Sequence, residues 1–165
     1  MSCLSDALRY LGVRGEADTE TLGEIERHLE WLKNNAAAKH VAAAFPLSVL
    51  PESRDLAAYF RGYDSAYLFA ATLGTAVDAR MRALQAASVT SAVIFDACAS
   101  AYAEEYCDKA VGTDRFAPGY GDVPLSWQKT LCGLLQTQKR IGLTVTPDFT
   151  LLPMKSMTAF MRRIF

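Results

Sequence analysis

A chain of 165 residues, 51% apolar and 21% charged, can bury roughly two-thirds of its unfolded surface as one domain and is too apolar to be intrinsically disordered. Its net charge is −1 with no basic stripe, which argues against nucleic acid as a partner. No apolar run is long enough to cross a bilayer or form a signal-peptide core, so a protein with no membrane partner and a cytoplasmic location is expected.

In chain order, residues 2–11 place Leu4, Ala7, Leu8 and Leu11 at helical spacing, and Gly12 stops them. Asp18 or Thr19 can cap a longer helix running to about Asn35, with Leu22, Ile25, Leu29 and Leu32 as its apolar stripe. His28 lies beside that stripe, where a local hydrogen bond is its expected role. Residues 39–49 read as extended, with Pro46 marking an edge or an exit. Ser53 caps a short helix over 55–61 that ends at Gly62. Residues 65–71 make an apolar run of strand length, expected to be buried on both faces. The turn Thr72-Leu73-Gly74-Thr75 then leads into a helix over 76–87, whose Arg80 and Arg82 are expected to reach solvent. A strand end feeding a small-residue turn and a helix N-terminus is a place where ligands sit, and equally the ordinary way a strand joins a helix.

Ser88 opens a helix to about Lys109 whose buried side, Ile94, Cys98, Ala101 and Tyr102, is made mostly of small groups. Asp96, Ser100, Glu104 and Asp108 fall four apart and form a slowly drifting polar stripe. Either the stripe is a solvated face, or Glu104 turns inward toward Arg115, making a pair able to grip the amino and carboxylate groups of an amino-acid ligand. Arg115 to Asp122 packs a cation, an aromatic, an acid and two glycines around one turn. Pro118 and Gly119 suit the two central positions of a type II turn, so the chain doubles back between Ala117 and Tyr120 with backbone groups pointing outward. A polar-ligand cradle and a plain turn whose arginine makes a surface ion pair are both compatible with that chemistry.

A helix over 125–138, a strand over 141–145, a turn at Pro147-Asp148, an extended piece over 150–152 and a strand over 155–160 complete the chain. Helices and strands alternate without a strict βαβ rhythm. This order predicts an α+β fold, with an antiparallel sheet, in a single domain over 1–165. Cys3, Cys98, Cys107 and Cys132 lack C-x-x-C spacing and only His28 and His40 could join them, so no metal site is expected. Generic nucleotide-loop and metalloprotease motifs are absent.

Arg115-Phe116-Ala117-Pro118-Gly119-Tyr120 resembles the Arg-x-x-Pro-Gly-Tyr signature of the activation domain of cobalamin-dependent methionine synthase. Downstream, 136–142 with Leu143-Thr144-Val145-Thr146 and Leu152-Pro153-Met154-Lys155-Ser156-Met157-Thr158 is similar to that domain's ending. Upstream, Leu8 to Gly12, Ala71 to Gly74 and Asp96 to Ser100 resemble its small free-standing members, so the similarity spans nearly the whole chain.

The resemblance implies helices packed around a twisted antiparallel sheet that binds S-adenosylmethionine and presents it to the cobalamin of a partner methionine synthase. A flavodoxin-type donor acting on the partner would supply the electron for remethylating the oxidised cofactor. By residue, Arg115 would hold the ligand's carboxylate and Glu104 its amino group. Backbone groups of Phe116, Ala117, Pro118 and Gly119 would hold the adenosyl part, and Tyr120 would stand between ligand and corrin. The chain would contribute binding and orientation but no catalytic residue, as an accessory subunit rather than an enzyme by itself. The Tyr120 edge of the sheet would be its docking face. Only ten residues separate Glu104 from Arg115, fewer than in the family, which keeps open a docking module that has lost the ligand. An enzyme acting alone through Glu104 and Asp148 as acid and base is a third reading.

Overall fold

The structure, a computed structural model, describes residues 3–163. Helix α1 (Cys3–Tyr10) buries Ala7, and α2 (Thr19–Asn35) is capped by Asp18, whose carboxylate accepts the Thr21 N–H at 2.8 Å. Ser2, at the head of the first expected helix, lies outside the described residues. Strand β1 (Lys39–Pro46) ends at the proline and passes through a 3-10 turn, Leu47–Val49, into α3 (Arg54–Tyr59), capped by Ser53. Strand β2 (Ser65–Thr72) leads through Gly74 into α4 (Thr75–Ala87), and Ser88 caps α5 (Val89–Val111). After the Pro-Gly turn come α6 (Trp127–Leu135), α7 (Thr137–Ile141), the short strands β3 (Thr144–Val145) and β4 (Leu151–Leu152), and β5 (Ser156–Met161).

The main sheet has the order β1-β2-β5, antiparallel throughout, with β2 in the middle. Being central explains why β2 is apolar at nearly every position: both of its faces are covered. Ala66, Leu68 and Ala70 join Val41, Phe160 and the apolar sides of α3, α6 and α7 in one core. Tyr67, Phe69 and Ala71 turn the other way, where Ala159, Met161, Cys107 and Val111 form a second core against the C-terminal half of α5. The N-terminal half of α5 leaves the sheet and packs with α1, α2 and α4 around Ile25, Leu32, Phe95 and Cys98. Alanines and cysteines along α5 allow this close approach on several sides. The α5 helix is therefore shared by a helical lobe and a sheet lobe. The expected α+β class, helices around an antiparallel sheet, is what the chain forms.

Three local expectations are corrected. The helix expected over 125–138 breaks at Gln136, which adopts a left-handed conformation (φ 53°) and donates its N–H back to the Gly133 carbonyl at 3.1 Å. Ile141 does not open a strand. It ends α7 and is buried in the sheet lobe, leaving only Thr144–Val145 to pair with Leu151–Leu152. Arg80 does not extend freely into water, because it is half-buried with its guanidinium 5.6 Å from the Trp31 ring, whereas Arg82 is exposed.

Candidate functional site

The polar stripe of α5 is a row of carboxylates and a hydroxyl tied down by two cations from elsewhere in the chain. At its upstream end Lys155 Nζ reaches Asp96 at 2.8 Å and the Ser100 hydroxyl at 2.8 Å. At its downstream end Arg115 Nη2 donates to Glu104 at 2.7 Å and Nη1 to Asp108 at 2.7 Å. Nη1 also donates to the Gly112 carbonyl, one of the acceptors that the end of a helix leaves unpaired. The short connection makes this possible. Gly112, at φ 87°, ends α5, and Thr113 and Asp114 let the chain fold back so that Arg115 lies along the stripe. Its side chain is only 10% exposed, against 40% for Glu104 and 42% for Asp108. The expected Glu104–Arg115 pair forms. Asp108 is a second partner that the four-residue spacing contained but sequence reasoning did not assign.

Beyond Arg115 the chain joins the open edge of β5. Phe116 donates its N–H to the Phe160 carbonyl at 2.9 Å and accepts the Phe160 N–H at 2.7 Å. The Tyr120 N–H then closes the Pro118-Gly119 turn on the Ala117 carbonyl at 3.2 Å, with Gly119 at φ 88° as a type II turn demands. Both backbone polar groups of Phe116 are thus engaged. The backbone groups of this stretch left outside these pairs are the Ala117 N–H and the Pro118 and Gly119 carbonyls. Of these, Ala117 and Gly119 lie on exposed residues and Pro118 is buried, so the cradle expected over this turn is narrower than the sequence suggests. The acid of the stretch is structural. Asp122 accepts from the Ser53 hydroxyl and from the N–H groups of Arg54 (2.8 Å) and Asp55 (3.3 Å), closing the N-terminus of α3. These hydrogen bonds, the Ser53 hydroxyl foremost, hold its carboxyl below the usual carboxylate range.

Three rings run outward along this edge: Tyr59 lies 5.5 Å from Phe116, and Phe116 meets Tyr120 edge-on at 5.9 Å. Tyr120, at the end of the row, is 72% exposed. Under the row, Tyr59 donates to Asp114, which Arg162 also pairs at 2.7 Å while lying 4.6 Å from the Tyr59 ring. Burial and the Asp114 hydrogen bond push the Tyr59 hydroxyl up to about 12, so it stays protonated. Sequence reasoning missed this support, whose members lie far apart in the chain.

The remaining candidates are committed elsewhere. Asp148 bonds the Thr146 and Thr150 hydroxyls within its own turn, while Glu104 is held by Arg115, so the two are not joined as an acid–base pair. The turn after β2 is fastened by the Leu73 N–H to the Lys155 carbonyl at 2.9 Å, and Asp78 near the start of α4 accepts the Met154 N–H at 3.0 Å. Burial raises all four cysteine thiols, those of Cys3, Cys98 and Cys107 to about 12, so none is poised as a nucleophile. Among the described residues no group of acids, histidines and cysteines could hold a metal ion, and no helix is long and apolar enough to cross a membrane. A concavity of about 650 Å³ lies beside α6, α7 and β3, lined by Lys129, Gly133, Gln136 and Leu143, and Arg115 takes no part in it.

No family model matches the sequence, and no curated protein matches it. Solved structures do match the fold. The crystal structure of the MetH reactivation domain bound to AdoHcy aligns over 98% of this chain and 75% of that one, with a TM-score of 0.63 and 16% identity. At this identity the likeness establishes the architecture: helices packed around an antiparallel sheet as in that domain.

Proposed function

We propose that this chain binds S-adenosylmethionine and presents it to the cobalamin of a separate corrinoid methyltransferase of the methionine synthase kind, as an accessory subunit for its reductive remethylation. The observation that carries the reading is the Arg115 cluster. A nearly buried guanidinium beside Glu104 stands at the head of an outward turn that ends in an exposed tyrosine, within a fold shared with a domain solved with AdoHcy.

The residues present fit the ligand. Glu104 offers a carboxylate to its ammonium group and Arg115 a guanidinium to its carboxylate. The Ala117 N–H and the Gly119 carbonyl, both on exposed residues, offer hydrogen bonds to the adenosyl part, the buried Pro118 fixes the turn between them, and Phe116 offers a ring face rather than its backbone. When bound, S-adenosylmethionine supplies a methyl group carried on a sulfonium. The chain itself holds and orients that group and places Tyr120 outermost, where a corrin ring would meet it. Cobalamin would stay on the partner, and a flavodoxin-type donor would act there.

Calorimetric titration with S-adenosylmethionine tests this. Saturable binding by the wild-type chain is expected, and Arg115→Ala should weaken it at least about tenfold, the loss of one charge-assisted pair, while still melting cooperatively. Equal binding by the variant would remove Arg115 from the site. A second reading, a docking module that binds no ligand, is favoured by one observation: in this structure the guanidinium is already engaged by two carboxylates and a carbonyl. A wild-type chain blind to S-adenosylmethionine, and still blind once a carboxylate on Arg115 is removed, would favour it.

A further inference from the structure

The guanidinium that the proposed ligand needs is already holding the chain's own acids. Arg115 has five N–H donors in a fixed fork, and three are engaged: one by Glu104, one by Asp108 and one by the Gly112 carbonyl. Glu104, Asp108 and Arg115 together carry one more negative charge than positive. Opposite Lys155 the same stripe offers Asp96 and the neutral Ser100, so a second carboxylate on one cation is particular to the Arg115 end. Asp108 bonds the arginine through the same group, a carboxylate, that an amino-acid ligand would present. Asp108 can rotate into water from the last turn of α5, whereas Arg115 is nearly buried and fixed by Gly112. Glu104 is equally exposed, but it is the carboxylate that the proposed site needs for the ligand's ammonium group, which leaves Asp108 as the one to be displaced.

Resting on the proposed S-adenosylmethionine site, we infer that Asp108 is an internal competitor. It occupies the ligand-carboxylate position on Arg115 in the empty protein and is displaced when the ligand binds. Asp108 then sets the affinity without contributing to the bound state, and a removable gate of this kind lets the ligand go once it has been used.

The sign of the effect separates this from simple electrostatics. S-adenosylmethionine carries an ammonium, a sulfonium and one carboxylate, a net positive charge, so removing any nearby acid should weaken its binding by Coulomb attraction alone. Removing an internal competitor should strengthen it. Calorimetry with wild type, Asp108→Ala, Asp108→Asn and Asp96→Asn decides between the two, since Asp96 lies on the same stripe but pairs with Lys155. The expected result is binding about five- to tenfold tighter in both Asp108 variants and no tighter in Asp96→Asn. Binding by Asp108→Ala and not by wild type would support the inference most strongly. Wild-type binding that either Asp108 variant leaves equal or weaker overturns the inference and leaves the proposed function standing, as does equal tightening by Asp96→Asn. Absence of binding in all four proteins overturns both.

Discussion

His28 is nearly buried in the helical lobe, with its Nε2 3.2 Å from the Ser91 hydroxyl and its ring edge-on to Phe95 at 5.3 Å. Burial pushes its pKa below the usual value of about 6.5, Arg80 adds to the effect, and Glu24, 3.5 Å away, opposes it. A lowered histidine means that the unfolded chain takes up a proton that the folded chain resists. The contribution is fully present above the unfolded value of about pH 6.5 and is lost as the pH falls from there through the lower folded value. His28→Gln should therefore be less stable than wild type at about pH 7.5, with the gap narrowing at about pH 5.5 in urea titrations. A widening gap would mean that the imidazolium is paired with Glu24 in the folded protein. The boundary position of this histidine was legible from its place beside the stripe of α2. Its partner Ser91, 63 residues on, was not, because helix pairing leaves no local trace.

Caps and periods were the legible features among the elements. Asp18, Ser53 and Ser88 each accept an N–H three residues on, as their residue types and positions indicate. The break between α6 and α7 was illegible for the converse reason: Gln136 holds a left-handed conformation that is usually left to glycine or asparagine, so no residue announces it. Replacing it with glycine should relieve that strain and raise stability by about 0.5–1 kcal/mol, read as a higher urea midpoint at unchanged slope. A lower midpoint would show that the Gln136 side chain stabilises the bend by more than its backbone costs. The Glu104–Arg115 pair was legible because a four-residue stripe faces one direction and only one arginine follows closely. Lys155, which closes the other end of that stripe, comes from the far side of the sequence and could be placed only by the β2–β5 pairing.

At the scale of the molecule, each lobe contains one of the two tryptophans. Trp31 meets Phe95 at 5.6 Å among the helices, and Trp127 meets Phe160 at 5.4 Å under the sheet. Because α5 belongs to both cores, the lobes should unfold as one cooperative unit. In Trp31→Phe and Trp127→Phe, the fluorescence of the remaining tryptophan should share its midpoint with the far-UV circular dichroism of the same variant. Separate midpoints in either protein would show that α5 can fray in one lobe while the other stands. The sequence supplied the fold class through its mixed order of elements, but not this division of labour along a single helix.

The shared helix also decides what could be transplanted. A chain trimmed to begin after Asn35 would keep every strand, the Arg115 turn and the exposed Tyr120. It would nevertheless bare Ile94, Phe95 and Cys98, which count as interior only while α1 and α2 cover them. The portable unit is the sheet with α3, α6 and α7 on one face and the last turns of α5 on the other, and grafting it elsewhere means repainting the front half of α5 with polar residues rather than choosing a cut point between domains.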